Sequence, residues 1–256
     1  MERTAGSRVW ARIVIMAVFL ALTGGAVHAS PTNIYAVPLN LTAKIYRLTD
    51  NKELLFTFKR TITETNASVV ALREFWTTNG MLAAREVVRY ESNRFLSYQL
   101  LEPMRNARGR IFAGGGQSQL NFSYTESGTP TRTAEEALQP DTMIADMMGP
   151  FINAHWDELM RGDGVKFRFA VMNRQETIGF KFAKDSETTR YGQPVVRLKM
   201  SATSMVYSPF VTPLYFTVAK NGPHRVLDYT GETTPRIIIA GEWKDVEALT
   251  VFDWEK

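Results

Sequence analysis

The sequence predicts a mainly β fold of the α+β class: one strongly curved antiparallel sheet, or an open barrel, of roughly a dozen strands. A helical segment is inserted midway and covers the concave face of this sheet. Three observations support the prediction: apolar residues recur at every second position, turn signals separate these runs at hairpin spacing, and one block alone has helical spacing. No linker and no internal repeat divides residues 30–256, so we expect a single β-rich domain.

The two-residue period is typical of strands that bury one face. The clearest runs are 54–59, 165–169, 178–182 and 196–200. In the last three runs cationic residues occupy the alternate positions, which predicts that the second face meets solvent. Turn signals such as Asn79-Gly80 and Asn221-Gly222 predict antiparallel hairpins. A twisted sheet with this many strands is expected to curl.

The helical segment is predicted between residues 133 and 161. Its apolar residues follow i, i+3, i+4 spacing at Ile144, Met147, Met148, Phe151, Ile152 and Leu159. Gly149-Pro150 predicts either a kink or a restart of the helix, and Gly162-Asp163-Gly164 predicts the end of the helix. Because so wide an apolar stripe must be covered, we expect Met148 and Leu159 to be buried against the sheet.

Composition excludes several classes of protein. The chain has 256 residues, 45% of them hydrophobic and 22% charged, which is typical of a folded protein and not of a disordered one. It contains no cysteine, which excludes disulfides, thiol nucleophiles, zinc–cysteine sites and iron–sulfur clusters. It also excludes the lipid-bearing cysteine of a bacterial lipoprotein.

Residues 1–29 have the order of a secretory signal peptide, with cleavage expected between Ala29 and Ser30. The apolar run from Ile13 to Leu22 is shorter than the ~20 residues of a membrane-spanning helix, and no later segment comes closer. Removing three arginines and one glutamate with this leader leaves 27 basic and 25 acidic residues, a net charge of +2. We therefore expect a periplasmic protein, or alternatively an extracellular one, without a transmembrane helix and without a nucleic-acid partner.

The chain offers few groups for catalysis. His155 and Glu158 lie one helical turn apart, so an acid–base or metal-ligand pair of a hydrolase-type envelope enzyme is one alternative. The other interpretation of His155 is a structural histidine. The glycines 114–116 precede a strand pattern rather than a helix, which predicts a hairpin and not a phosphate-binding loop. We expect no enzymatic activity, no metal site and no cofactor.

Flexible and aromatic side chains are concentrated in the helical segment and in the strands predicted beneath it. A methionine-bearing cover over an aromatic sheet face can hold an apolar or amphipathic ligand such as a lipid or acyl chain. The candidate ligand-binding residues are Met147, Met148, Phe151, Phe56, Phe58, Phe180, Phe182 and Phe216. Ordinary core packing is the alternative explanation for the same residues.

The segment from Tyr207 to Phe216 contains two prolines, which prevent a continuous central strand. Its aromatic residues Tyr207, Phe210 and Tyr215 are candidates for docking an envelope protein partner. This alternative describes an interaction or scaffold protein with no small ligand. A bent strand at a corner of the sheet explains the same pattern.

Two stretches carry a resemblance to known proteins. Residues 174–180, and residues 194–235 with Val195–Met200, Pro213–Phe216 and Arg225–Gly231, are similar to an uncharacterised group of exported bacterial β-sheet domains. That group resembles in fold the periplasmic lipoprotein carriers, in which a half-barrel sheet is covered by helices and holds acyl chains. The resemblance covers about a quarter of the chain after the leader. It implies an apolar-ligand role and brings no catalytic residue, and the lack of cysteine separates this chain from the membrane-anchored receptor branch of those carriers.

Overall fold

The computed structural model describes residues 40–49, 53–65, 68–91, 94–204 and 211–254. These residues all belong to one structural unit. The predicted leader with Ala29 and Ser30, and the docking candidates Tyr207 and Phe210, lie outside the described residues.

Strands account for most of the described residues. In chain order they are β1 Asn40–Arg47, β2 Leu54–Thr65, β3 Ser68–Thr77, β4 Leu82–Glu91, β5 Arg94–Glu102, β6 Ala107–Gly114, β7 Gln119–Thr125, β8 Arg132–Ala137, β9 Thr142–Met143, β10 Val165–Val171, β11 Glu176–Arg190, β12 Gln193–Ala202, β13 Leu214–Ala219, β14 Val226–Glu232, β15 Ile237–Ile239, β16 Glu242–Lys244 and β17 Glu247–Asp253.

Fifteen of these strands form one sheet in the order β8-β7-β6-β5-β4-β3-β2-β1-β17-β14-β13-β12-β11-β10-β9, and β15 pairs only with β16. Neighbours in the large sheet are antiparallel except β9 and β10, which are parallel. The edge strands β8 and β9 do not pair with each other, but β9 lies near β5 and β8 lies near β11. The sheet therefore curls back over itself and stays open, which confirms the predicted fold class with fifteen strands in place of roughly a dozen.

The helical segment is shorter than predicted. A 3₁₀ turn at Ala145–Met147 leads into α1, Met148–Ala154, and α2 follows at Trp156–Arg161. The prediction of helix from residue 133 is wrong, because Arg132–Ala137 instead pairs with β7 and its backbone completes the sheet edge. Gly149 and Pro150 lie in the first turn of α1, where a missing N–H breaks no helical bond, so a helix starts at this point as the restart alternative predicts. A second break, which the sequence did not predict, separates α1 from α2 at His155.

The main core lies between the helices and the concave face of the sheet. It contains residues from strands on both sides of β1 together with the apolar side of α1 and α2. Leu159 is 0% exposed and Met148 is 8% exposed, as predicted. Of the cationic residues at the alternate positions, Lys166 and Arg197 are exposed, whereas Arg168, Lys181 and Lys199 are half-buried, so the predicted solvent-facing surface is confirmed only in part. Glycines 114–116 lie where β6 turns into β7, which confirms the predicted hairpin.

Candidate functional site

A cavity of about 430 Å³ lies between α1 and the concave face of the sheet. Its walls come from α1, from strands β1–β3 on one side, from β10–β14 on the other, and from β17 between them. Ligand-binding pockets commonly enclose roughly 300–1,000 Å³, so this cavity has the size of a small-molecule site.

The walls of the cavity are mainly aromatic and aliphatic. Among the described residues, six phenylalanines contribute to them, namely Phe58, Phe75, Phe169, Phe180, Phe216 and Phe252. Antiparallel register places Phe58 opposite Phe75 on neighbouring strands. Met148 from α1 and Met200 from β12 also line the cavity. Because methionine is flexible and polarisable, these two side chains can adapt to apolar groups of different shape.

The eight ligand-binding candidates predicted from the sequence divide into two groups. Met148, Phe58, Phe180 and Phe216 line the cavity. The other four, Met147, Phe151, Phe56 and Phe182, pack in apolar clusters and do not line it. The Phe182 ring, for example, lies 5.0 Å from the Phe167 ring and 5.2 Å from the Phe216 ring. Side chains therefore fill part of the interior, and the cavity occupies the rest.

A buried ion pair joins the helical cover to the sheet at one end of the cavity. The Arg60 guanidinium donates to both carboxylate oxygens of Asp146, at 2.7 and 2.9 Å, and the Tyr90 hydroxyl donates to the same carboxylate at 3.1 Å. Burial by itself would raise the pKa of Asp146, but the Arg60 and Arg73 guanidiniums hold it below its ordinary value. Asp146 lies in the 3₁₀ turn that precedes α1, so this pair fixes the start of the cover.

A second buried pair lies beside the first. Arg73 donates to Glu86, which also accepts hydrogen bonds from the Tyr98 hydroxyl at 2.9 Å and from the Thr234 hydroxyl at 2.6 Å. Glu86 is 1% exposed. The two arginines are thus matched by two carboxylates, and their charges cancel.

These charged residues were not among the site residues predicted from the sequence. Their positions on apolar faces could have revealed them. Arg60 follows Phe56 and Phe58 at two-residue spacing, and Asp146 lies between Ile144 and Met147 in the helical stripe. Charged residues are almost never fully buried unless they are paired, so these two positions were candidates for partners across the fold.

His155 and Glu158 lie outside the cavity. Their Nδ1 and Oε1 atoms are 3.4 Å apart, and the His155 ring packs 4.4 Å from the Phe151 ring. Both side chains are partly exposed. No group of three His, Asp or Glu side chains that could hold a metal ion occurs among the described residues.

Tyr215 is the one docking candidate that the structure describes. Leu214 and Phe216 line the cavity, so Tyr215 between them on β13 points to the outer face. There the Arg197 guanidinium lies 4.0 Å from the centre of the Tyr215 ring. Tyr215 and the cavity are therefore on opposite faces of the sheet.

A buried carboxyl group lies apart from the cavity at the end of β5. Glu102 accepts a 2.5 Å hydrogen bond from Arg105 through Oε2, whereas its Oε1 is buried and has no hydrogen-bond partner among the residues that the structure describes. Burial raises the pKa of Glu102 to about 7, against the opposing attraction of Arg105. This carboxyl group is therefore expected to change its charge near neutral pH.

The Glu102→Gln variant should remove a pH dependence of stability. The unfolded chain ionises Glu102 near its ordinary pKa of 4.5, whereas the folded protein retains the proton up to about pH 7. The contribution of this group to the free energy of unfolding is therefore complete below pH 4.5 and is lost as the pH rises toward 7. Asp146, with its lowered pKa, acts only in the acidic range and with the opposite sign.

Urea denaturation of both proteins across this pH range provides the measurement. The wild type should lose stability relative to Glu102→Gln as the pH rises, and the difference should level off above pH 7. A difference that does not vary with pH would contradict the proposed burial of an ionisable Glu102.

Comparisons with protein-family models, with curated proteins and with solved structures found no match to this chain. Among the residues that the structure describes, no helix has the length and apolar character needed to cross a bilayer.

Proposed function

We propose that this protein binds an apolar or amphipathic ligand, such as a lipid or an acyl chain, in the cavity between α1 and the sheet, without catalysing a reaction. The cavity itself is the main support for the proposal, because phenylalanine, methionine and aliphatic side chains form most of its walls, with charged and polar side chains among them. Each ligand methylene buried there contributes about 0.8 kcal/mol, so a long chain can be held by apolar contacts.

Three features support non-catalytic binding against the structural and the hydrolase alternatives. A scaffold protein with a filled interior needs no internal space, whereas about 430 Å³ remains open here. The Arg60–Asp146 pair fastens the cover over this space. The pair His155–Glu158, which the hydrolase alternative requires, does not line the cavity.

The signal-peptide-like order of residues 1–29 and the absence of cysteine favour carriage of the ligand in the bacterial envelope, in the periplasm or alternatively outside the cell. The resemblance to periplasmic lipoprotein carriers agrees with this role. An envelope scaffold that docks a partner protein through the segment from Tyr207 to Phe216 is the competing hypothesis.

The Met148→Lys variant should bind apolar ligands at least about tenfold more weakly than the wild type, because a charge without a partner would face the apolar chain. Titration of a fluorescent fatty acid into the full-length protein measures the dissociation constant. Ala154→Lys is the matched control, since it places the same charge on the exposed side of α1 and should leave binding unchanged. Circular dichroism of both variants verifies that the fold is retained.

Native mass spectrometry of protein purified from its own envelope tests the same proposal without an added probe. A lipid should be bound to the wild type and absent from Met148→Lys. Protein that carries no lipid and binds no fluorescent fatty acid would contradict the proposal and would favour the scaffold hypothesis.

A further inference from the structure

Of the arginines that the structure describes, four line the cavity, and three of these are paired with carboxylates. Arg60 binds Asp146 and Arg73 binds Glu86, as described above. Arg174 lies 4.0 Å from Glu176. The positive charges of these three arginines are therefore offset within the protein, and the fourth, Arg225, has to be considered separately.

The Arg225 guanidinium forms no ion pair or side-chain hydrogen bond with any described residue, and its Nε is buried without a hydrogen-bond partner. An arginine is always charged, and its planar guanidinium presents five N–H donors. A buried donor that lacks a partner is rare in folded proteins and costs stability, so it requires an explanation.

The surroundings hold Arg225 in a defined position. Its guanidinium lies 5.2 Å from the centre of the Trp254 ring, and the Trp254 indole N–H donates to the Val226 carbonyl at 2.8 Å. The Asn153 amide of α1 donates to the carbonyl of His224, the residue before Arg225, at 3.1 Å. The helical cover, β14 and the residue after β17 thus meet around a preorganised cation.

We propose that Arg225 anchors the anionic headgroup, a carboxylate or a phosphate, of an amphiphile whose apolar chain lies in the cavity. The inference deepens the proposed function and rests on it. A guanidinium binds carboxylate and phosphate oxygens through paired, charge-assisted hydrogen bonds. The positive charge of the guanidinium repels a cationic headgroup. A neutral alcohol offers the guanidinium a single uncharged oxygen and should bind it more weakly than an anion does.

The test compares three ligands with the same chain: dodecanoate, dodecyl phosphate and dodecanol, each below the concentration at which it forms micelles. Isothermal titration calorimetry with the full-length protein should show that both anions bind at least about tenfold more tightly than the alcohol, since a hydrogen bond to a charged group is worth more than a neutral one. Arg225→Met should abolish this difference and leave dodecanol binding unchanged. Arg225→Lys should retain part of it.

Arg161→Met is the matched control, because it removes an exposed arginine of α2 that does not line the cavity and pairs with Asp163. This variant should keep the preference for anions. Salt provides a measurement that needs no variant: the affinity of the wild type for dodecanoate should fall as ionic strength rises, whereas that for dodecanol should not.

Each remaining outcome has a separate meaning. Equal affinity for the three ligands, or a preference that survives in Arg225→Met or disappears in Arg161→Met, overturns the inference and leaves the proposed function standing. If inorganic phosphate alone displaces dodecyl phosphate at similar concentration, the site recognises the free anion and not an amphiphile, which also overturns the inference. If none of the three amphiphiles binds, the proposed function itself fails.

Discussion

Asp146→Ala should lower the free energy of unfolding by about 3–5 kcal/mol, the range expected when one partner of a buried ion pair is removed. The variant leaves the Arg60 guanidinium, in a residue only 6% exposed, without the carboxylate that accepts two of its hydrogen bonds. It also releases the start of the helical cover from β2 and β4. Urea denaturation at neutral pH gives the measurement.

Two control variants separate the buried charge from the loss of contacts. Asp163→Ala removes an exposed partner of Arg161 and should change stability little. The double variant Arg60→Met with Asp146→Leu replaces both charges by apolar groups and should recover much of the lost stability. If Asp146→Ala is as stable as the wild type, apolar contacts alone hold the cover and the ion pair does not fasten it.

Leu159→Ala should lower the free energy of unfolding by about 2–5 kcal/mol, because the truncation leaves an unfilled space in a packed core. Leu159 belongs to α2, is 0% exposed and packs in the main core cluster together with Ile152 of α1. Denaturant titration measures the loss, and hydrogen exchange shows whether the backbone of both helices loses protection together.

Glu158→Ala provides the comparison for Leu159→Ala on the same helix. Glu158 is exposed, and its side chain lies 3.4 Å from His155 at the surface. Its truncation should change stability by less than about 1 kcal/mol. A similarly small loss for Leu159→Ala would mean that α2 does not pack against the sheet.

Patterns of apolar residues predicted the sheet well because each strand buries one face locally. Residues 165–169 and 178–182 lie in β10 and β11 with the expected alternation, and the predicted hairpins join neighbouring strands. The predicted start of the helical segment at residue 133 was wrong because the sequence around Thr133 is compatible with both a helix and a strand. Pairing with β7 decides between them, and that pairing is a tertiary contact.

The candidate site could be predicted only in part. Spacing indicated which face of β2 or β11 carries Phe58 or Phe180, and both line the cavity. The same spacing did not distinguish them from Phe56 and Phe182, which lie on the same faces but pack against other side chains. Whether a buried phenylalanine meets a neighbour or an open space depends on strands far apart in the chain.

The sequence by itself determined the fold class, the buried face of β2, β10, β11 and β12 and the end of the helical segment, because these depend on periodicity and turn residues within short segments. Tertiary structure decided the pairing of Arg60 with Asp146, 86 positions away in the chain, and left Arg225 without such a partner among the described residues. It also decided that an open space remains beneath α1. The physical reason is that ion pairs and cavities depend on which distant residues the curled sheet brings together, and no local pattern contains that information.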